Sequence, residues 1–332
     1  MGNWLDRLRG KAKPAPLPVV AAAAPARAST AQGVAAWKPG IDVDVEFWRL
    51  LQGEPGERAD TATPPERACL QDVTSRAASA GVAALVPRVP AVVPQVLQTL
   101  RDASRPMSVL ARQLSQDPVL VAGVLKLARS PFHGLQQPVA SLEQALLVVG
   151  QDGLRQMLAA IAFRPIINLQ AGPATARGAP RLWDQTERCG LACQVLSPAA
   201  GVSAFETFLA AILHSVGSVV VLRLLDQALP GTTGASSEAC RTLGAQARTL
   251  ACRIGREWSF PEPVIRAVAE RESPSAHATR TALGDLVRAC DALSKLRVLV
   301  DAQWVAPDEP TLGLAGHETM QRCFRLLDAA AD

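Results

Sequence analysis

The residues of this 332-residue chain that could do chemistry are few, and most of them stand at the wrong spacing for it. Four His leave little room for a His-rich metal site. Gly316-His317-Glu318-Thr319-Met320 opens like a zinc-protease helix, but such a helix needs a second His one turn after the first, and Gln321 stands there. Cys189 and Cys193 lie one helical turn apart with no His or further Cys following at ligand spacing, so they read as small buried apolar residues. There is no Gly-x-Gly-x-x-Gly, no phosphate-binding lysine loop and no Cys-x-x-Cys. Two places remain. One is His214-Ser215, at the end of the apolar run Phe208–Leu213. The other is Arg129, ahead of Ser130, Pro131 and Gly134. A guanidinium in such a turn can receive a carboxylate or phosphate. It can also cap the preceding helix and tie down a Phe132–Gly134 turn in which Phe132 anchors the core.

Side chains of this kind act only if a folded body holds them, and composition provides for one. Hydrophobic residues make up 48% of the chain, too many for a wholly disordered protein. Apolar stretches such as Val216–Leu225 fall short of the roughly 18–20 residues that span a bilayer, so no transmembrane helix is expected. Seven Cys, an odd number in a long chain, argue against a disulfide framework, and a reducing compartment, the cytoplasm, is the expectation. The formal net charge of +4 is unevenly placed. Residues 1–40 hold Arg7, Arg9, Lys11, Lys13, Arg27 and Lys38 against Asp6 alone, leaving the rest close to neutral. A folded nucleic-acid surface needs clustered Lys and Arg on one face, so no nucleic-acid partner is expected.

Pro14, Pro16, Pro18, Pro25 and Pro39 in an Ala-rich setting mark residues 1–40 as a disordered tail. A signal-peptide reading of Arg7–Lys13 and Leu17–Ala24 meets a short, Ala-weighted apolar stretch broken by Pro18. Asp6 stands where a myristoylation signal needs Ser or Thr. Trp4, Leu5 and Leu8 at helical spacing among basic residues allow weak membrane contact by residues 4–13.

Beyond the tail, periodicity and capping signals are helical. Val92, Val93, Val96, Leu97 and Leu100 form one apolar face, and Met107, Leu110 and Leu114 the next. Asp117-Pro118 is an N-cap followed by Pro at the first helical position, and Ser141 with Gln144 and Ser203 with Glu206 have capping-box spacing. Further helices are expected over Leu154–Phe163, Leu182–Leu196, Phe205–Leu225, Leu243–Trp258, Val264–Ala269, Leu283–Val300 and Met320–Leu327. Only Val219-Val220-Val221 dissents by propensity. Gly/Pro-rich breaks at Gln170–Pro180 and Pro230–Ser237 divide this set. The expected fold is all-α: two packed helical bundles preceded by the tail.

The ordered motifs resemble the HDOD family, a relative of the HD-type metal-dependent phosphohydrolases. The resemblance opens at Val86-Pro87-Arg88-Val89-Pro90 and continues through Ser115-Gln116-Asp117-Pro118. It runs on through Leu125-Lys126-Leu127-Ala128-Arg129-Ser130, Phe132-His133-Gly134 and Ser141–Ala145 to His214-Ser215-Val216-Gly217. The organisation it implies is a tail (1–40), a variable helical segment (41–84), an HDOD domain (85–295) and a C-terminal helical extension (296–332). The HDOD domain divides into an N-terminal bundle (85–168) and an HD-like bundle (181–295).

In HD-type enzymes a metal pair is held by a His, a His-Asp dyad and a later Asp. By resemblance those slots hold Gln185, then His214 with Ser215, then Asp291, and a further family His corresponds to Ala247. An amide and a hydroxyl replace imidazole and carboxylate poorly around a divalent cation, and Ser215 cannot bridge two metals. The resemblance therefore implies a non-catalytic bacterial signalling module that binds other proteins and needs no metal or other cofactor. On the residues alone, His214 reads as a buried, hydrogen-bonded core histidine and Asp291 as an ordinary partly buried polar residue or ion-pair partner. Two alternatives stay open. One is a residual phosphohydrolase using His214 and Asp291. The other is a sensor that holds a cyclic dinucleotide or similar anion in the inter-bundle cleft, with Arg129 or Arg271 in contact.

Overall fold

The apolar run beginning at Phe205 becomes the central helix, and the other elements surround it. The computed structural model describes residues 34, 36–53, 59–86, 142–168, 171–228, 236–272 and 280–328. Among these, every regular element is helical. In chain order they are α1 (Val43–Gln52), α2 (Pro64–Ser79), α3 (Val82–Leu85), α4 (Leu142–Ile167), α5 (Pro173–Ala200) and α6 (Ala204–Gln227). There follow α7 (Ser237–Glu257), α8 (Glu262–Ala269), a 3-10 turn (Glu270–Glu272), α9 (Ala282–Asp301), α10 (Glu309–Leu312) and α11 (Glu318–Leu326). The all-α expectation holds. The expected helices within α6, α8, α9 and α11 agree with the assigned ends to within two residues, the usual fraying uncertainty, whereas α4 starts at Leu142 rather than Leu154 and ends at Ile167 rather than Phe163, and α7 starts at Ser237 rather than Leu243.

The α6 helix is buried on every side by α4, α5, α7, α8 and α9. Ser203 starts it, its hydroxyl accepting from the Glu206 N–H at 3.2 Å. Val219, Val220 and Val221 are 0–1% exposed within it, so burial overrides their strand propensity. At 24 residues α6 is long and apolar enough to cross a bilayer, which the count over Val216–Leu225 did not foresee, yet 89% of its most apolar window is buried inside the protein. Close approach of α6 and α7 depends on Gly217: a Cβ there would lie 2.1 Å from the Ala247 carbonyl oxygen.

The break expected at Gln170–Pro180 is a correction, because α5 begins at Pro173 and runs through Pro180. Its start is fixed from a distance. Asp226, at the end of α6, accepts from the Ala174 N–H (2.6 Å), the Thr175 N–H (3.0 Å) and the Thr175 hydroxyl (2.6 Å). A carboxylate at a helix N-terminus satisfies orphan donors and complements the dipole, and Pro at the first position costs nothing. Local composition signals a break; the partner that overrides it lies 51 residues away.

The segment ahead of the HDOD resemblance is part of the core. Val43, Val45, Phe47, Trp48, Leu50 and Leu51 bury α1 among α5, α7 and α9. Asp42 caps its start, accepting from the Val45 N–H at 3.2 Å. Its polar side chains are also tied in: Arg49 pairs with Glu46 (2.7 Å) and donates to the Ser237 hydroxyl (3.0 Å), and the Trp304 indole donates to Glu46 (3.1 Å). All seven Cys are free and buried. The motif positions Pro90, Asp117, Pro118, Leu127, Ala128, Arg129, Ser130, Phe132 and Gly134, the Ser141 cap and residues 1–33 lie outside the described residues.

Candidate functional site

One turn of α9 places Asp291 and Lys295 on the same buried face, 2% and 3% exposed in their side chains. Four elements converge on them. From α5, the Gln185 amide donates to Asp291 Oδ1 (3.2 Å) and to the Ser294 hydroxyl (2.9 Å), which itself donates to the Asp291 carbonyl (3.0 Å). From the 3-10 turn, Arg271 Nη2 reaches Asp291 Oδ2 at 2.5 Å, and Lys295 Nζ reaches the same oxygen at 2.8 Å. From α1, Asp44 Oδ1 accepts from Lys295 (2.5 Å) and from Arg271 (3.3 Å). From α6 comes His214. It lines a cleft of about 230 Å³ together with Asp42, Asp44, Trp48, Cys240, Arg241, Gly244, Arg248 and Arg271.

The electrostatics follow from this arrangement. Two carboxylates face two cations, so the ion-pair cluster is neutral, and the Lys295 ammonium also lies 5.4 Å from the Phe47 ring centroid. Burial acts against the Arg271 charge, but Asp291 and Asp44 outweigh it and raise the Arg271 pKa. Enclosure raises the Asp44 pKa, yet Lys295 and then Arg271 overcome that effect and hold the carboxyl well below the usual range, although half its side-chain surface opens outward. Burial drives His214 well below the ordinary imidazole value, and the nearby positive charges of Arg271 and Lys295 push it further down. His214 is therefore neutral at physiological pH. Among the described residues, its Nδ1 and the Nε and Nη1 of Arg271 are buried with no hydrogen-bond partner.

The sequence-read positions separate in space. Gln185 and Asp291 are in direct contact, and His214 shares the cleft with their partners Arg271 and Asp44. Ser215 belongs elsewhere: its hydroxyl pairs with Thr186 at 2.8 Å and donates to the Ala211 carbonyl at 3.0 Å, tying α6 to α5. Ala247 is fully buried where α7 crosses α6 at Gly217. His214 is buried as expected, and its Nδ1 has no hydrogen-bond partner among the described residues. Asp291 is an ion-pair partner as expected, though fully rather than partly buried. His317 sits at the N-cap of α11, and Cys189 and Cys193 are buried as expected. Burial raises the Cys193 thiol well above its ordinary pKa, and the neighbouring Cys189 and Cys290 thiols add to this. No group of three or more His, Cys, Asp or Glu able to hold a metal occurs among the described residues. Asp44 and Lys295 were not singled out from sequence. The Asp291/Lys295 spacing was a visible signal; Asp44 lies ahead of the resemblance, in a segment read as variable.

The all-helical body buries His214 and Asp291, on α6 and α9, around one ion-pair cluster, the arrangement that the resemblance to HD-type proteins implies. More narrowly, the HDOD domain model matches residues 86–274, more than half of the chain, and the chain belongs to the HDOD family. An uncharacterized protein of Treponema pallidum (strain Nichols) is 24% identical over 193 residues, which is 55% of this chain and 37% of that protein. The match thus spans little more than a third of the relative's length. Two solved structures share the fold. One, from Shewanella amazonensis SB2B and described provisionally as a metal-dependent phosphohydrolase, has a TM-score of 0.57 at 16% identity, covering 81% of this chain and 100% of its own. The other, an HDOD domain protein of unknown function from Geobacter sulfurreducens, has a TM-score of 0.54 at 18% identity, covering 80% and 98%. At these identities the likeness is one of fold alone.

Proposed function

We propose that this HDOD protein is a non-catalytic cytoplasmic regulatory module that works by binding a signalling protein, with internal ion pairs standing where HD-type enzymes hold metal. The observation that carries the reading is the occupancy of Asp291. One carboxylate oxygen accepts from both Arg271 and Lys295, and the other accepts from Gln185. A metal pair would need that carboxylate free, and would have to share its surroundings with two buried cations that repel it. Gln185 turns an amide donor toward Asp291, Ser215 is committed to Thr186 and Ala211, and Ala247 has no donor atom. These residues do not fit a divalent metal pair.

Membership of the HDOD family supports a regulatory role, which a domain can fill through its surface without turnover. The test is hydrolysis of generic phosphodiester and phosphomonoester substrates with Mn²⁺, comparing the full chain with His214→Ala. Equal background rates in both are expected. Turnover that the substitution abolishes would overturn the reading.

A further inference from the structure

We infer that the cavity between α2, α3 and the C-terminal turns of α6 is a binding site for a small oxyanion, with Arg223 as its principal donor. This goes beyond the proposed protein-binding role and does not depend on it.

The cavity exists because the segment ahead of the family match packs on α6. Arg76 and Ser79 of α2, Leu85 of α3, and Val220, Arg223 and Gln227 of α6 line it, and the first three precede the match at residue 86. Arg223 reaches across from α6. Its Nη1 donates to the Leu85 carbonyl at 2.7 Å, so the guanidinium, not just its stem, stands at the cavity wall. That carbonyl is the only hydrogen-bond acceptor of the side chain among the described residues. Nε is buried with no acceptor, and Nη2, which shares the Nε edge of the planar group, has none either. An edge of this kind is the two-donor fork that a carboxylate or phosphate takes with two of its oxygens. A buried guanidinium N–H without an acceptor is uncommon because its desolvation is uncompensated.

Charge points the same way. Asp226, three residues after Arg223, has both carboxylate oxygens committed to Ala174 and Thr175 at the start of α5. Burial lowers the Arg223 pKa and Asp226 offsets this only in part, so an anion at the free edge would match charge that the fold leaves unmatched. The second arginine, Arg76, gives its Nε to Asp72 at 2.8 Å, and Arg76 and Arg223 against Asp72 leave one positive charge at the cavity. Carbonyls at the end of α2 would oppose an anion, but they are taken: Arg253 donates to those of Ala77 and Ala80. The volume of about 200 Å³ admits one oxyanion with a short body, below the roughly 300–1,000 Å³ of pockets for larger ligands.

The test is calorimetric titration of the full chain with inorganic phosphate and, separately, with acetate, against chloride at equal ionic strength. Wild type is expected to bind phosphate saturably at one site, and chloride not at all. Arg223→Lys keeps the charge but loses the Nε/Nη2 edge, and should weaken phosphate binding about tenfold or more, as loss of a charge-assisted hydrogen bond does. Arg76→Glu, on an exposed side chain, reverses a charge at the wall and should weaken binding about tenfold. Arg241→Gln, in the separate cleft beside His214, should leave it unchanged. Circular dichroism and thermal unfolding establish that each variant is folded, and Arg76→Glu carries the test if Arg223→Lys is not. Acetate binding that the same two substitutions weaken supports the site and assigns it to carboxylates. No saturable heat from either anion, binding indifferent to both cavity substitutions in folded protein, or loss only with Arg241→Gln overturns the proposal.

Discussion

Asp291 and Lys295 set the stakes at the scale of single residues. Removing one partner of a buried ion pair leaves an uncompensated charge, whereas removing both leaves little to compensate. Lys295→Met should therefore destabilise the chain by about 3 kcal/mol in urea unfolding. Adding Asp291→Asn should cost less than the sum of the two single changes, with coupling of about 1–3 kcal/mol. Strict additivity would show that the contacts at 2.5–2.8 Å around Asp291 Oδ2 do not hold the fold together. His214 provides a second test. It faces Arg271, Lys295, Asp44 and Arg248, and its pKa lies below the unfolded value, so the unfolded chain takes up a proton that the folded chain refuses. Its contribution to stability is complete above about pH 6.5 and is lost as pH falls, by about 1.4 kcal/mol per unit. Relative to wild type, His214→Asn should flatten the acid limb of stability between about pH 6.5 and 5. Parallel limbs in the two proteins would contradict a buried neutral imidazole.

At the scale of elements, what the sequence makes legible is what short-range physics decides. The apolar run Phe205–Leu225 and the Ser203 cap fix α6, and the periodicity after Glu262 fixes α8, because face and cap are written within one or two turns. The misplaced start of α5 has a different cause. Gly172, Pro173 and Pro180 argue locally for a break, and the Asp226 carboxylate that caps the helix arrives from α6. Gly217 shows the same dependence on a distant partner, since its need for no side chain is set by the Ala247 carbonyl across the α6–α7 crossing. Gly217→Val should cost about 3 kcal/mol or more, as overpacking at a backbone contact does. A near-neutral effect in equilibrium unfolding would mean that the two helices can separate there.

Across the whole molecule, the candidate site was half legible. Gln185, His214, Ser215, Ala247 and Asp291 could be placed by motif order, and the unsuitability of their donor atoms for a metal pair followed from residue type alone. Their new partners could not be placed that way. Lys295 reads as an ordinary charged residue until its 3% exposure is known, and Asp44 comes from α1, which packs into the HD-like core although it precedes the family match at residue 86. The ion-pair cluster balances Asp44 and Asp291 against Arg271 and Lys295, so the chain's net +4 does not describe this site. The central claim, that internal cations occupy the place of a metal pair, is tested most directly by metal analysis of the full chain after purification and dialysis, paired with thermal unfolding in EDTA. The account predicts no stoichiometric divalent ion and an unchanged melting temperature. One or two transition-metal ions per chain, with a fall in melting temperature when EDTA strips them, would contradict it.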